Sequence, residues 1–182
     1  MVRMILPDAV IWFRQAVKAL IAALLFFVIL PLALGSASGI PTAQVFALVS
    51  STAVLQSNAV FVGVGMGMHP AGILAIMTLV EVGAVLAILF ACDAFAHSSI
   101  RVRSILERTE VRMQKVPLLT KYGAVTLIVL PTLLVVGLYS SVVICWILRW
   151  DRIQSLFFIT IGWLAVTVFL MAVALGLVRM FA

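Results

Sequence analysis

Apolar residues run along this chain in long blocks, and polar residues gather in short clusters between them. From Ala19 to Val80 no Asp, Glu, Lys or Arg occurs. A bilayer core needs about 20 apolar residues per spanning helix, so this tract alone predicts a membrane-embedded chain. Ala19 to Leu34 forms the first block, and the breakers in Gly35-Ser36-Ala37-Ser38-Gly39-Ile40-Pro41 end it. Upstream, Asp8 to Lys18 sets Ile11, Trp12 and Phe13 beside Arg14 and Lys18, which predicts an interfacial helix start leading straight into the span. Ile21 to Leu32 followed by Ala33 to Ala37 imitates a cleavable leader, but the chain stays apolar afterwards and the expectation is a retained helix.

Thr42 to Val64 differs in kind. It is apolar at both ends but carries Gln44, Ser50, Ser51, Thr52, Gln56, Ser57 and Asn58. Amides and irregular backbone at membrane depth are tolerated only where protein or a water-filled cavity surrounds them. The pattern therefore predicts a broken or re-entrant helical hairpin centred on Ser50 to Asn58, with Gly63, Gly65, Gly67 and Pro70 marking the turn that follows. Ala71 to Phe95 is a second span, with Glu81 inside it and Asp93 near its end.

The loop at 97–121 is strongly basic and carries a short amphipathic surface helix opened by Ser98 or Ser99 and stopped by Pro117. Tyr122 to Leu148 is apolar but interrupted by Pro131 and Gly137, with Tyr139 just beyond, and predicts a second re-entrant or broken hairpin. Leu156 to Val178 is a final uninterrupted span. The expected fold is thus a single all-α transmembrane domain over residues 1–182, with about three spanning helices, two re-entrant or broken hairpins and a short cytoplasmic amphipathic helix.

Composition agrees with that class and excludes others. Hydrophobic residues make up 65% and charged residues 10%, against about 25% charged in soluble domains, and the mean hydropathy is +1.32. The net charge of +6 does not indicate nucleic acid, because the basic residues flank apolar blocks instead of alternating with aromatics on a soluble face. They act as topology signals, since basic loops stay cytoplasmic. If both hairpins enter and return on one side, eleven of the twelve Lys and Arg residues fall on the cytoplasmic side. If every segment spans, only seven do, and if the first hairpin alone is re-entrant, ten do. The rule therefore supports the first hairpin more firmly than the second. It predicts a cytoplasmic N-terminus in a multi-pass protein of the inner (cytoplasmic) membrane.

The second half carries Lys121-Tyr122-Gly123, an apolar run ending at Pro131, Gly137 and Tyr139 before Ser140-Ser141, and Asp151-Arg152 opening the last span. In these features the chain resembles the putative small multidrug export family, itself distantly similar to DedA-type membrane proteins. The resemblance covers roughly residues 52 to 178 and is weaker in the first half of that range. It implies a membrane transporter-like fold with a Pro- and Gly-rich re-entrant segment. Two positions depart from the family pattern. Leu134-Val135-Val136-Gly137 stands where a Pro-Gly-Thr-Gly type sequence is usual, and Gln56 and Asn58 stand where an acidic residue followed by Arg is usual. Both departures remove groups that ion-coupled transport would use.

The candidate chemistry is sparse. Glu81 is the sharpest residue, because a carboxyl deep in an apolar span commonly marks a proton or cation pathway, or else bonds a neighbouring helix in its protonated form. Gln56, Ser57 and Asn58 line the first hairpin, where they bind a polar head group or satisfy broken backbone. Pro131, Gly137 and Tyr139 mark the second. Asp93 sits near the cytoplasmic end within reach of Arg101 or Arg103. His69 and His97 flank a helix about 35 Å long, so they cannot share a haem or metal within one chain. Cys92 and Cys145 lie in apolar runs, and two cysteines give no metal-site spacing. Gly63-Val64-Gly65-Met66-Gly67 lacks the strand of a dinucleotide-binding unit and reads as a turn or close helix packing.

No catalytic triad or cofactor motif is visible, so the expectation is a non-enzymatic protein without a cofactor. Its partners are membrane lipids, further copies of itself or the subunits of a membrane complex. Two functions remain open: a small transporter-like protein handling an amphipathic or lipid-like substrate near the midplane, and a non-catalytic accessory subunit.

Overall fold

A computed structural model describes residues 5–98, 137–148 and 151–181. The central basic loop beyond Ser98, together with Pro131, lies outside these residues. The described chain is all-helical. Helix α1 (Ile5–Leu24) passes through a π-helical turn (Leu25–Ile29) into α2 (Leu30–Ala37), followed by α3 (Thr42–Leu55), a 3-10 turn (Gln56–Asn58), α4 (Ala59–Gly65), α5 (Pro70–Ser98), α6 (Gly137–Ile147) and α7 (Arg152–Phe181). Four stretches are long and apolar enough to cross a membrane: Val10–Ala37, Thr42–Gly65, Pro70–Phe95 and Arg152–Gly176. The pattern is that of a multi-pass membrane protein.

Burial follows the same logic. Thr52, Glu81, Asp93, Ser141, Ser155 and Thr167 are buried, whereas Leu20, Val54, Ile153 and Phe169 are more than half exposed. Apolar side chains on the outer surface suit hydrocarbon surroundings. The expected helix start at Asp8 to Lys18 runs straight into the span, α1 being helical from Ile5 and continuing without a turn. Lys18 instead places its ammonium 5.9 Å from the Phe90 ring centroid on α5.

Helix α5 is the centre of the bundle and packs against α1, α2, α3, α4, α6 and α7. The α1–α2 arm runs antiparallel along it, with Lys18 beside Phe90, Phe26 beside Gly83 and Ile40 beside Gly72. The π-turn brings Phe26 so close that a Cβ at position 83 would lie 2.3 Å from the Phe26 Cβ, and only glycine fits that approach.

Two glycine turns bracket the segment between α2 and α5. Gly39 (φ +68°) and Gly67 (φ +70°) take the left-handed conformation that glycine adopts without steric cost. Each closes a helix in the same way. The N–H of Ile40 donates to the Gly35 carbonyl at 2.9 Å, and that of Met68 donates to the Gly63 carbonyl at 3.2 Å. After the second turn Pro70 opens α5, where its missing N–H costs nothing. His69 Nδ1 accepts the Ala71 N–H at 3.3 Å and caps that helix, which gives this histidine a structural task.

Between the turns the chain folds back on itself. The helix stops at Gln56, whose φ of 54° and ψ of −130° break the helical path, and α4 then packs against α3. Ile40 Cδ1 would lie 3.2 Å from a Cβ at Gly72, so the turns before and after the broken segment sit at one end of the bundle. The expected break is therefore present, confined to Gln56–Asn58 at the C-terminal edge of the anticipated range.

Helix α7 lies antiparallel to α5, with Arg152 beside Asp93 and Thr160 beside Glu81. Asp151 caps it, its Oδ1 accepting the N–H groups of Ile153 (3.0 Å) and Gln154 (2.9 Å).

Candidate functional site

Glu81 sits midway along α5 and is 1% exposed. Its Oε2 accepts a hydrogen bond from Thr160 Oγ1 of α7 at 3.2 Å, and its Oε1 has no hydrogen-bond partner among the described residues. A buried polar oxygen left unpaired costs about 1–3 kcal/mol. The basic side chains nearest along α5 are engaged elsewhere. Lys18 lies over Phe90, nine residues on, and Arg152 pairs with Asp93, twelve residues on. At 1.5 Å per residue these levels are about 13 and 18 Å from Glu81.

The broken segment reaches the same depth. Ala53 lies eleven residues from the start of α3, as Glu81 lies eleven from the start of α5, and these two starts are at one end of the bundle. Both positions are therefore about 16 Å in from that end. The 3-10 turn and α4 pack against α7, the helix that carries Thr160. Gln56 and Ser57 are half-buried and Asn58 is exposed.

Tyr139, near the start of α6, donates its hydroxyl to the carbonyl of Ala53. In an unbroken helix that carbonyl would accept the N–H of residue 57, so the tyrosine replaces a bond the break removes. Gly137 is the first residue of α6. One side chain thus joins the broken α3–α4 segment to α6, the described part of the second predicted hairpin.

The hydroxyls expected to line the first hairpin are partly committed to their own helix. Ser50 Oγ donates to the Phe46 carbonyl and Thr52 Oγ1 to the Leu48 carbonyl, both at 2.7 Å. Thr78 and Thr167 do the same, to Leu74 at 2.7 Å and Trp163 at 2.8 Å. Thr160 differs from them in turning its hydroxyl to a carboxyl on another helix.

Near the far end of α5, Asp93 (8% exposed) gathers three helices. Its Oδ1 accepts Trp146 Nε1 of α6 at 2.9 Å and Arg152 Nη2 of α7 at 3.0 Å, and the same Nη2 lies 2.9 Å from Oδ2. Arg152, 59 residues away in sequence, thus provides a cation to Asp93; Arg101 and Arg103, the expected partners, lie outside the described residues. Trp146 and Thr160 are the residues sequence reasoning missed, since each is an unremarkable member of an apolar run. Trp163, 2% exposed, holds a buried Nε1 without a hydrogen-bond partner among the described residues.

No family model, curated protein or solved structure matches this chain.

Proposed function

We propose that this protein is a small transporter-like protein of the inner membrane, with a cytoplasmic N-terminus, that handles a small amphipathic or lipid-like molecule near the bilayer midplane. The observation that carries this reading is Glu81, a fully buried carboxyl with one open oxygen, at the depth where the α3–α4 segment is broken. With a hydrocarbon core of about 30 Å, a depth of about 16 Å is close to its centre. Discontinuous helices meeting at the midplane are a recurring way to build a polar site in lipid.

In this reading α3 and α4 form a re-entrant hairpin. At about 21 and 10 Å neither arm reaches across the core, and the turns at both ends of the segment share one end of the bundle. Helix α6 comes from the opposite end, where Trp146 meets Asp93, and touches the hairpin tip through Tyr139. Gln56, Ser57 and Asn58 at the tip, with Glu81, Gly137 and Tyr139, line the path. Pro131 belongs to the same proposed lining by sequence.

The test is reconstitution into proteoliposomes loaded with a fluorescent short-chain lipid analogue. Wild-type protein is expected to speed its movement well above the rate in protein-free vesicles, and Glu81→Gln to return it to that rate. Equal rates in the two proteins would remove Glu81 from the mechanism.

The hydroxyls of Ser50 and Thr52, spent on their own backbone, favour the second reading, an accessory subunit with no path of its own. Native mass measurement after mild detergent extraction separates the two. A stable complex with other chains supports the subunit, and a homo-oligomer or monomer supports the transporter.

A further inference from the structure

We infer that the ligand of Glu81 is a protonated amine bearing a neighbouring oxygen acceptor, of the amino-alcohol type. The inference rests on the reading of Glu81 as part of a solute path and adds the chemical class of the solute.

Of the five buried polar atoms that lack a hydrogen-bond partner among the described residues, two are of opposite hydrogen-bonding character and belong to the helices joined at Glu81. They are the acceptor Oε1 of Glu81 on α5 and the donor Nε1–H of Trp163 on α7. They belong to facing helices that meet at the Glu81–Thr160 bond, and Thr160 and Trp163 lie one turn apart on the same side of α7. Buried polar groups are almost always paired, so these two call for partners.

Among the described residues, the charged side chains of the neighbouring helices lie elsewhere, Arg14 of α1 being exposed. On α1, Lys18 lies over Phe90. On α7, Arg152 is held by Asp93. On α6, Tyr139 is bound to Ala53, and His69 before α5 caps that helix. None of these described groups supplies a countercharge to Glu81, and the proposed ligand brings one. An open carboxylate oxygen calls for an N–H donor, which a primary or secondary ammonium provides and a quaternary one does not. The indole N–H calls for an acceptor, which a hydroxyl or ester oxygen beside the amine provides. The 3-10 turn and α4 pack on α7, and the Tyr139 hydroxyl ties the end of α3 to α6.

The experiment measures saturable binding of radiolabelled 2-(octylamino)ethanol to the full chain in lipid nanodiscs. The comparison probes are its ether analogue 2-(octyloxy)ethanol, which carries no charge, and its N,N-dimethyl quaternary analogue, which carries no N–H. The wild type is expected to bind the amine about 10- to 100-fold more tightly than either comparison probe, the range for a hydrogen bond to a charged group. Glu81→Gln should lose the same factor, and Trp163→Phe about fivefold, the value of one neutral hydrogen bond. Equal affinity for the ether or the quaternary probe, or unchanged amine binding in Glu81→Gln, overturns the inference. The probe comparison needs only wild-type protein and stands even if a variant does not fold. Binding without movement of the lipid analogue in vesicles would sink the transporter reading and leave this site standing. Movement of the analogue without selective amine binding would do the reverse.

Discussion

Asp93 and Glu81 show how one residue type takes two fates along a single helix. Asp93 has an Arg and an indole N–H within 3.0 Å, whereas Glu81 has one threonine hydroxyl. Asp93 is therefore a fastener for α5, α6 and α7. Replacing Arg152 by Ala leaves the Asp93 carboxylate buried with only Trp146, and should cost about 1–3 kcal/mol, toward the lower end because the Arg152 side chain is 58% exposed. Asp93→Asn should cost less, because the amide keeps an acceptor for Trp146 and removes the charge that needs Arg152. Thermal unfolding in detergent checks the order, and a larger loss for Asp93→Asn would contradict the fastener role. At this scale the sequence exposes the acidic residues, since a charge in an apolar run stands out. It hides their partners, because Thr160 and Arg152 meet them across 79 and 59 residues.

Among the elements, the arm of α1, π-turn and α2 is fixed to α5 by shape more than by polar bonds. Gly83 admits Phe26 of the π-turn, and the atom in the way of any side chain is the Phe26 Cβ. That atom is rigidly attached to the backbone and cannot swing aside. Gly83→Ala should therefore push α1 off α5 and cost about 1–3 kcal/mol, the usual range for overpacking. Chemical unfolding followed by tryptophan fluorescence measures it, and an unchanged midpoint would mean the two helices slide freely. The broken α3–α4 segment was legible from its amides and glycines, which have no business in a lipid-facing helix. The π-turn was not, because Leu25 to Ile29 contains nothing but good apolar residues. It sets Phe26 against Gly83 of α5.

For the whole molecule the decisive question is where the chain crosses the membrane. The turn around Gly39 and the turn around Gly67 lie at one end of the bundle, so single cysteines at Ser38 and Gly65, in a background lacking Cys92 and Cys145, should label from the same side of intact cells. Labelling from opposite sides would make Thr42–Gly65 a plain span and remove the re-entrant hairpin. The sequence by itself determined that the protein is helical and apolar enough for a membrane, where its main helices lie, and which carboxyl is out of place, because these follow from local composition and the length of uncharged runs. Only the tertiary structure decided that the helix breaks at Gln56–Asn58, that Tyr139 bonds the Ala53 carbonyl beside the break, and that Glu81 faces Thr160 with one oxygen unpartnered among the described residues. Those are relations between residues far apart in sequence, set by which helix faces fit together, and no local pattern of residues carries them.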